Sequence, residues 1–190
     1  MDKFLYIELA DVYTTQKKYD LAFQMCAKAL ELDKDYADAY WTRGYVQIQL
    51  EKLDEAIAEL AHAIKLEPTS ASARSTLSFV YLQQGKVTDA LKEAQEAVRQ
   101  DPYNSSARTN LALAYYAQKQ TDLAKKEALE AVRLSPKGDM AHYILGLCHM
   151  NEGEKQKAVA EFAKFLELYW DRAYIRDYKT KAEAYLAQLK

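Results

Sequence analysis

Apolar residues recur at helical spacing along almost the whole chain, in blocks of about 14 residues separated by short polar links. One pair of blocks contains Leu77, Val80 and Tyr81, followed by Val87, Ala90, Leu91, Ala94, Ala97 and Val98. Spacings of three and four residues place such side chains on one face of a helix. The links, such as Gln84-Gly85-Lys86, are short enough for a tight connection between antiparallel helices. The pattern therefore predicts a series of helix hairpins.

Small residues mark a repeat with a period of about 34 residues, which is clearest between Ala37 and Ser70. Gly44, Ala56 and Ala63 would let two helices approach closely, because larger side chains there would force the pair apart. Pro68 cannot continue a helix and ends the unit. A shared period of this length indicates an array of repeats. We predict five units and a tail, at residues 3–36, 37–70, 71–104, 105–138, 139–172 and 173–190.

These marks resemble the tetratricopeptide repeat family, as in Tyr40, Gly44, Ala56, Leu60, Ala63 and Pro68, and again in Leu111, Ala112, Tyr115, Ala124, Ala131 and Pro136. The resemblance implies an all-α fold, a right-handed α-solenoid of five 34-residue helix hairpins with a C-terminal capping helix. It also implies that the first helices line a concave groove and that the protein binds other proteins. Arg43, Arg74 and Arg108 depart from the family pattern, and we expect their stems to cover apolar surface with the charge outside.

By this resemblance, a stripe of aromatic and aliphatic residues faces the groove. Together with Asn110, the predicted partner-binding residues are Trp41, Tyr45, Ile48, Phe79, Leu82, Leu113, Tyr116, Tyr143, Leu147 and Met150. The alternative is that several of them are core between adjacent first helices. A contiguous apolar patch usually marks an interaction site, and Trp and Tyr often carry binding energy. Glu8, Asp11 and Asp38 would place the basic end of a ligand near the first two units.

The resemblance directs certain positions of each first helix into the groove, and none of these positions carries Lys or Arg. This absence excludes two classes of ligand. Family members that hold a C-terminal carboxylate use Lys, Asn and Arg in three successive units. Here Asn110 matches one position, but Ser75 and Phe79 precede it, and Met140 and Ile144 follow it. RNA binding would require basic or amide side chains along the groove. We therefore expect an apolar or amphipathic protein segment as the ligand.

The tail from Ala173 to Lys190 predicts one more amphipathic helix, with Tyr174, Ile175, Tyr178, Ala182, Tyr185, Leu186 and Leu189 on one face. Stacked repeats need a terminal cap, and Phe165 and Trp170 would fill the interface to it. The alternative is that the tail, or the tail of another molecule, enters the groove and blocks it. No equivalent cap precedes Lys3, so Phe4, Leu5 and Tyr6 are expected to be exposed.

Charge and composition restrict the remaining possibilities. The chain has 26 basic and 28 acidic side chains, a balance that favours neither nucleic acid nor an anionic membrane as a partner. The longest apolar runs fall short of the roughly 20 residues that span a bilayer, and the first residues do not resemble a secretion signal. We expect a cytoplasmic protein, with the alternative that the chain is a fragment lacking a leader.

Catalysis and metal binding are not expected. His142 and His149 occupy positions where the family keeps aromatic residues between the two helices, so we predict core roles for them. Cys26 and Cys148 lie in units that are not neighbours, and we expect both to be buried free thiols. The sequence has no phosphate loop, metal-ligand spacing or paired nucleophile and base, which indicates a protein without a cofactor or enzymatic activity.

Two functions remain. One is an adaptor, scaffold or chaperone-like module that binds a protein or peptide in the groove. The other is a structural scaffold that forms homo-oligomers, through the ends of the solenoid or by insertion of a tail into a groove.

Overall fold

The computed structural model describes residues 2–169 and 172–189, and helices supply the regular secondary structure of these residues. The helices are α1 (Lys3–Thr15), α2 (Tyr19–Leu32), α3 (Ala37–Gln49), α4 (Leu53–Leu66), α5 (Ala71–Gln83), α6 (Val87–Gln100), α7 (Ser105–Ala117), α8 (Thr121–Leu134), α9 (Asp139–Asn151), α10 (Lys155–Leu168) and α11 (Arg176–Leu189), with a 3₁₀ turn (Ala173–Ile175) before α11. The first helices of the pairs begin at residues 3, 37, 71, 105 and 139. Each helix packs on the next along the chain, which confirms the predicted all-α solenoid.

Small residues form the contact between the two helices of each pair. Gly44 lies against Leu60, and a Cβ added at Gly44 would be 3.0 Å from the Leu60 Cγ. At Gly146 an added Cβ would be only 2.7 Å from the ring of Phe162. The Ser78 hydroxyl instead donates a hydrogen bond of 2.8 Å to the carbonyl of Ala90. These positions are small because the backbone of one helix approaches the side chains of the other.

The turn inside each pair requires a residue in the left-handed region of backbone space. Gly85 (φ 72) and Gly153 (φ 75) occupy this position in two pairs, whereas Glu51 (φ 60) and Lys119 (φ 62) occupy it in two others. The next residue donates its N–H to a carbonyl five residues earlier, as Gln120 does to Tyr115 at 2.9 Å. This bond closes the first helix and turns the chain back.

Arginine residues between the helices form ion pairs rather than exposing their charges. Arg74 pairs with Glu93 at 2.7 Å, and Arg108 pairs with Glu127 at 2.5 Å, with each arginine side chain 17% exposed. Arg108 also donates to the carbonyl of Pro102 at 2.8 Å, across the link between two pairs. The expectation that the charge lies outside is therefore wrong for Arg74 and Arg108, whereas Arg43 pairs with Glu59 at 2.7 Å and its side chain is 33% exposed. A carboxylate 19 residues further along the chain makes burial of the guanidinium possible.

The hydrophobic interior is divided into two clusters. The smaller cluster joins α1, α2 and one side of α3, and includes Ile7, Cys26 and Val46. The larger cluster begins at Ile48 and continues to the C-terminal residues Ile175 and Ala182. Cys26 and Cys148 are buried free thiols, as predicted. Burial raises the pKa of the Cys26 thiol to about 12 and that of the Cys148 thiol to about 11.

Among the described residues, no helix combines the length and the apolar character that crossing a membrane requires. Phe4 is 57% exposed and Leu5 is 46% exposed, as expected, whereas Tyr6 is half-buried because it packs against the smaller cluster.

Candidate binding groove

The first helices of successive pairs pack side by side, and their inward residues form the candidate groove. Trp41 on α3 stacks beside Tyr45, with ring centroids 6.2 Å apart and planes inclined by 24°. The Trp41 indole N–H donates a hydrogen bond of 3.0 Å to the Thr76 hydroxyl on α5. Trp41 and Tyr45 are half-buried, so their rings remain partly accessible.

A cavity of about 560 Å³ lies in this part of the groove. The residues that line it include Trp41, Tyr45, Phe79, Thr109, Arg172 and Tyr174. One wall of the cavity is therefore aromatic. Another part is lined by serine and threonine hydroxyls at the beginnings of α5 and α7, such as those of Ser72 and Ser105. A cavity of this size lies in the range of ligand-binding clefts, and like them it combines apolar walls with a few polar groups.

The C-terminal end of the chain forms another wall of the cavity. We call residues 172–178 the terminal segment. The ring of Tyr174 meets Phe79 edge-on at 5.2 Å and Tyr45 edge-on at 6.4 Å between centroids. The amide of Gln83 on α5 donates to the carbonyl of Tyr174 at 3.3 Å. The terminal segment thus crosses the groove from α9 to α3.

Two further contacts hold the terminal segment. The Arg172 guanidinium forms an ion pair with Asp139 at the start of α9, and both side chains are largely buried. Burial raises the pKa of the Asp139 carboxyl, and the neighbouring Arg172 charge opposes this effect. The ring of Tyr178 meets Tyr143 edge-on, with centroids 5.2 Å apart.

The remainder of α11 lies on the last pair, where Tyr185 stacks on Phe162 of α10 with ring centroids 5.3 Å apart. Ala182 is fully buried in the large cluster. Both arrangements that the sequence allows for the tail therefore occur in one molecule: most of α11 packs on α10, and the terminal segment, which includes the first residues of α11, enters the groove. Phe165 is fully buried and contacts Tyr143, as expected for an interface residue, whereas Trp170 lies outside the described residues.

Much of the predicted apolar stripe is covered. Phe79, Leu113, Tyr143 and Leu147 are buried in the same cluster as Ile175 of the terminal segment. Leu82, Tyr116 and Met150 are half-buried and pack against this cluster, and Ile48 is fully buried in it. In addition, Tyr143 contacts Phe162 of α10, so it is not directed only into the groove. Trp41 and Tyr45 lie at the accessible end.

Asn110 connects two first helices. Its amide donates to the carbonyl of Ser75 at 2.8 Å and to the Ser75 hydroxyl at 3.0 Å. Its side chain therefore links α7 to α5 while it lines the cavity.

The three predicted acidic residues are exposed at the first end of the groove. Their electrostatic coupling is visible at Asp11, where partial desolvation of the accessible carboxyl, the Asp38 charge and the Glu8 charge, in that order, raise its pKa. The three carboxylates therefore lie close enough to one another to form a local negative potential.

His149, Glu152 and Glu154 lie within 4.8 Å of one another and have side-chain types that bind metals. However, the Lys125 ammonium is 2.5 Å from Glu152, and the Lys157 ammonium is 2.7 Å from Glu154. Hydrogen bonds from Lys157 and His149 hold the pKa of Glu154 at about 2. The group is therefore an ion-pair network, because the two ammonium groups already provide the positive charge that the carboxylates require. The other core histidine, His142, is hydrogen-bonded to Glu161 at 2.7 Å.

Helix pairs that begin at residues 3, 37, 71, 105 and 139 around a lined groove define a helical-repeat binding protein. Family models described as tetratricopeptide repeat match residues 13–78, 80–139 and 109–173. The chain belongs to the tetratricopeptide repeat family, whose fold supports interaction with other proteins. No curated protein sequence matches this chain.

Solved structures share the fold at low sequence identity. TTC0263 of Thermus thermophilus is 20% identical with a TM-score of 0.76, over 97% of this chain and 99% of that chain. PilF of Pseudomonas aeruginosa is 21% identical with a TM-score of 0.76, over 99% of this chain and 90% of that chain. YrrB, described as a TPR protein with an unusual peptide-binding site, is 22% identical with a TM-score of 0.61, over 96% and 92% of the two chains.

Proposed function

We propose that this protein is a non-catalytic adaptor or chaperone-like module that binds an apolar or amphipathic segment of a partner protein in its groove. One observation carries the proposal: half-buried Trp41 and Tyr45 lie beside Phe79 around a cavity of about 560 Å³. Aromatic side chains of this kind supply large contact areas and dominate the energy of many interfaces. The peptide-binding site described for YrrB is a precedent within the fold.

The charge distribution adds a direction to the proposed ligand. Glu8, Asp11 and Asp38 lie at the first end, whereas the cavity wall contributed by α5 and the beginning of α7 is uncharged. A ligand with a basic end near α1 and an apolar end near Phe79 satisfies both regions. Its binding is expected to weaken as ionic strength rises, because exposed charges are screened.

A peptide library provides a test that does not require the natural partner. The full chain is panned against a library of random linear peptides, and the enriched peptides are measured by calorimetry. We expect aromatic or aliphatic residues at regular spacing and a basic residue near one end. Substitution Trp41→Ala with Tyr45→Ala is expected to weaken binding about 100-fold, since each lost aromatic anchor costs about 1–2 kcal/mol.

Tyr103→Ala is the matched control, because Tyr103 is 75% exposed in a link between two helix pairs. The control is expected to bind like the unchanged protein. Enriched peptides that bind the Trp41 and Tyr45 double variant as tightly as the unchanged protein would place the binding surface elsewhere and contradict the proposal.

Self-association is the second candidate function, because apolar side chains are exposed on the first helix pair. Phe4 is 57% exposed, Leu5 is 46% exposed and Leu32 is 59% exposed. Light scattering over a range of protein concentrations separates the two functions. A mass that rises with concentration and falls again after Phe4→Ser and Leu5→Ser supports an end-to-end scaffold, whereas a constant monomer mass contradicts it.

A further inference from the structure

The terminal segment makes contacts that the repeat architecture does not require. In a solenoid each unit contacts its neighbours. Tyr174 nevertheless lies against Tyr45, which is 129 residues earlier in the chain, and its carbonyl accepts a hydrogen bond from Gln83, 91 residues earlier. These residues belong to α3 and α5, whereas α11 packs on α10. The terminal segment is therefore an occupant of the groove, attached to the end of the same chain.

Four side chains of the terminal segment define what the groove recognises. The Arg172 guanidinium pairs with Asp139, and Tyr174 lies between Tyr45 and Phe79. Ile175 is fully buried, and Tyr178 meets Tyr143. The anchors are a cation, an aromatic–aliphatic pair and a second aromatic one helical turn later.

The groove also binds the backbone of its occupant. Gln83 donates its amide to the main-chain carbonyl of Tyr174 at 3.3 Å and lies 3.5 Å from the Tyr178 hydroxyl. A hydrogen bond to a main-chain carbonyl is available to any segment with the same backbone path, whatever its sequence. Recognition of the occupant thus combines a general backbone contact with pockets for particular side chains.

The terminal segment fills only part of the groove, and its two tyrosines remain partly accessible. The cavity beside it is lined both by Trp41 and by Tyr174, so an incoming segment can contact Trp41 before the terminal segment leaves. Tyr174 and Tyr178 remain half-buried, and the Tyr45 and Tyr174 hydroxyls are 3.5 Å apart, at the long limit for a hydrogen bond.

We infer that the partner of this protein presents a segment of the same chemistry as Arg172–Tyr178, and that it binds by displacing the terminal segment from the groove. The pattern is an arginine, a tyrosine and isoleucine two and three residues later, and a tyrosine six residues after the arginine. This inference rests on the proposed function, since it names the part of the ligand that occupies the same groove between α9 and α3. The arginine that pairs with Asp139 is separate from the basic end that the acidic residues near α1 would attract. The apparent affinity for the partner is then the intrinsic affinity multiplied by the fraction of molecules in which the terminal segment has left the groove.

The test uses the full chain and a labelled peptide of residues 172–189. Fluorescence anisotropy measures its binding to the unchanged protein and to Tyr174→Ala, Tyr178→Ala and Tyr103→Ala. We expect binding to tighten about tenfold or more in the first two variants, which weaken the competing segment, and to be unchanged in the third. Adding Phe79→Ala to Tyr174→Ala is expected to remove the gain. Circular dichroism of each variant establishes that its helices are intact.

Three results would overturn the inference. The first is equal peptide affinity for the unchanged protein, Tyr174→Ala and Tyr178→Ala, and the second is a gain that survives Phe79→Ala. The third is a dimer of the unchanged protein that Tyr174→Ala dissociates, which would identify the occupant as the terminal segment of a second copy. In any of these three cases, the proposed function is still supported if library peptides bind through Trp41 and Tyr45. Failure of every peptide to bind any variant contradicts both proposals.

Discussion

At the scale of single residues, one methyl group determines how closely two helices of a pair can approach. An added Cβ at Gly146 would be 2.7 Å from the Phe162 ring, which is fully buried between α9 and α11. An added Cβ at Gly44 would be 3.0 Å from Leu60, a side chain with more freedom to change its rotamer. The two glycines occupy equivalent positions but differ in how far the neighbouring side chain can move.

We predict that Gly146→Ala lowers the free energy of unfolding by about 1–3 kcal/mol, despite the better helix propensity of alanine. Gly44→Ala is expected to change it by less than about 1 kcal/mol, because movement of Leu60 and the gain in propensity offset each other. Urea denaturation of both variants measures the difference. A larger loss at Gly44 than at Gly146 would show that the rigidity of the neighbouring ring is not the cause.

The ion pairs of Arg74 and Arg108 could not be predicted from the family pattern alone. The pattern places an aromatic residue there, and an arginine stem can replace part of its apolar surface. The signal that identifies the pairs is a glutamate recurring at period 34, as in Glu59, Glu93 and Glu127. This spacing becomes informative only after the hairpin geometry brings the second helix alongside the first.

At the scale of the element, the turn between paired helices has the same backbone conformation in every pair, whatever residue is present. Gly85 adopts it without steric cost, and no atom lies within 4 Å of a Cβ added there. Lys119 adopts it with φ 62 against the intrinsic preference of a residue with a side chain. The turn is therefore imposed by the packing of the helices on both sides.

We predict that Lys119→Gly raises the free energy of unfolding by about 0.5–1 kcal/mol, since relief of the left-handed strain exceeds the entropic cost of glycine. Gly85→Ala is the converse variant and is expected to lower it by about 1 kcal/mol through backbone strain alone. Thermal unfolding of both variants provides the comparison. Destabilisation by Lys119→Gly would indicate that its side chain, rather than its backbone, stabilises the turn.

The helices and their pairing could be predicted because they depend on local periodicity and on small residues repeated in each unit. The path of the terminal segment could not. Periodicity assigns Tyr174, Ile175 and Tyr178 to the apolar face of a capping helix, whereas Ala173–Ile175 forms a 3₁₀ turn that contacts α3. No sequence spacing encodes a contact across 129 residues. The predicted groove residues likewise form one uniform stripe, because periodicity alone cannot distinguish the covered residues from the accessible ones.

At the scale of the whole molecule, the terminal segment connects parts of the chain that a repeat array leaves independent. Nearest-neighbour contacts allow units to unfold progressively from an end. The larger cluster includes Ile48, Phe79 and Ile175, so residues from the second unit onward share contacts with the end of the chain. The smaller cluster around Ile7 and Cys26 lacks this connection among the residues that the structure describes.

Hydrogen exchange of the native protein should therefore divide the molecule into two regions. We predict lower protection in α1 and α2 than in α5, α7 and α9, because only the latter region is connected to the terminal segment. Tyr174→Ala should lower protection in α5 and α9 while leaving α1 and α2 unchanged. Equal loss of protection in all helices would show that the array unfolds as one unit and that the terminal segment does not couple its parts.

The contact of Tyr174 with Tyr45 and Phe79 also fixes how many repeats can lie between α3 and the terminal segment. Each additional hairpin in an α-solenoid translates and rotates everything that follows it. A further unit inserted between α3 and residue 172 would carry Tyr174 away from α3, and deletion of a unit from this span would bring it against a different helix. Duplication or loss of a unit within this span, which an open solenoid tolerates, would therefore remove the contact of Tyr174 with Tyr45 and Phe79.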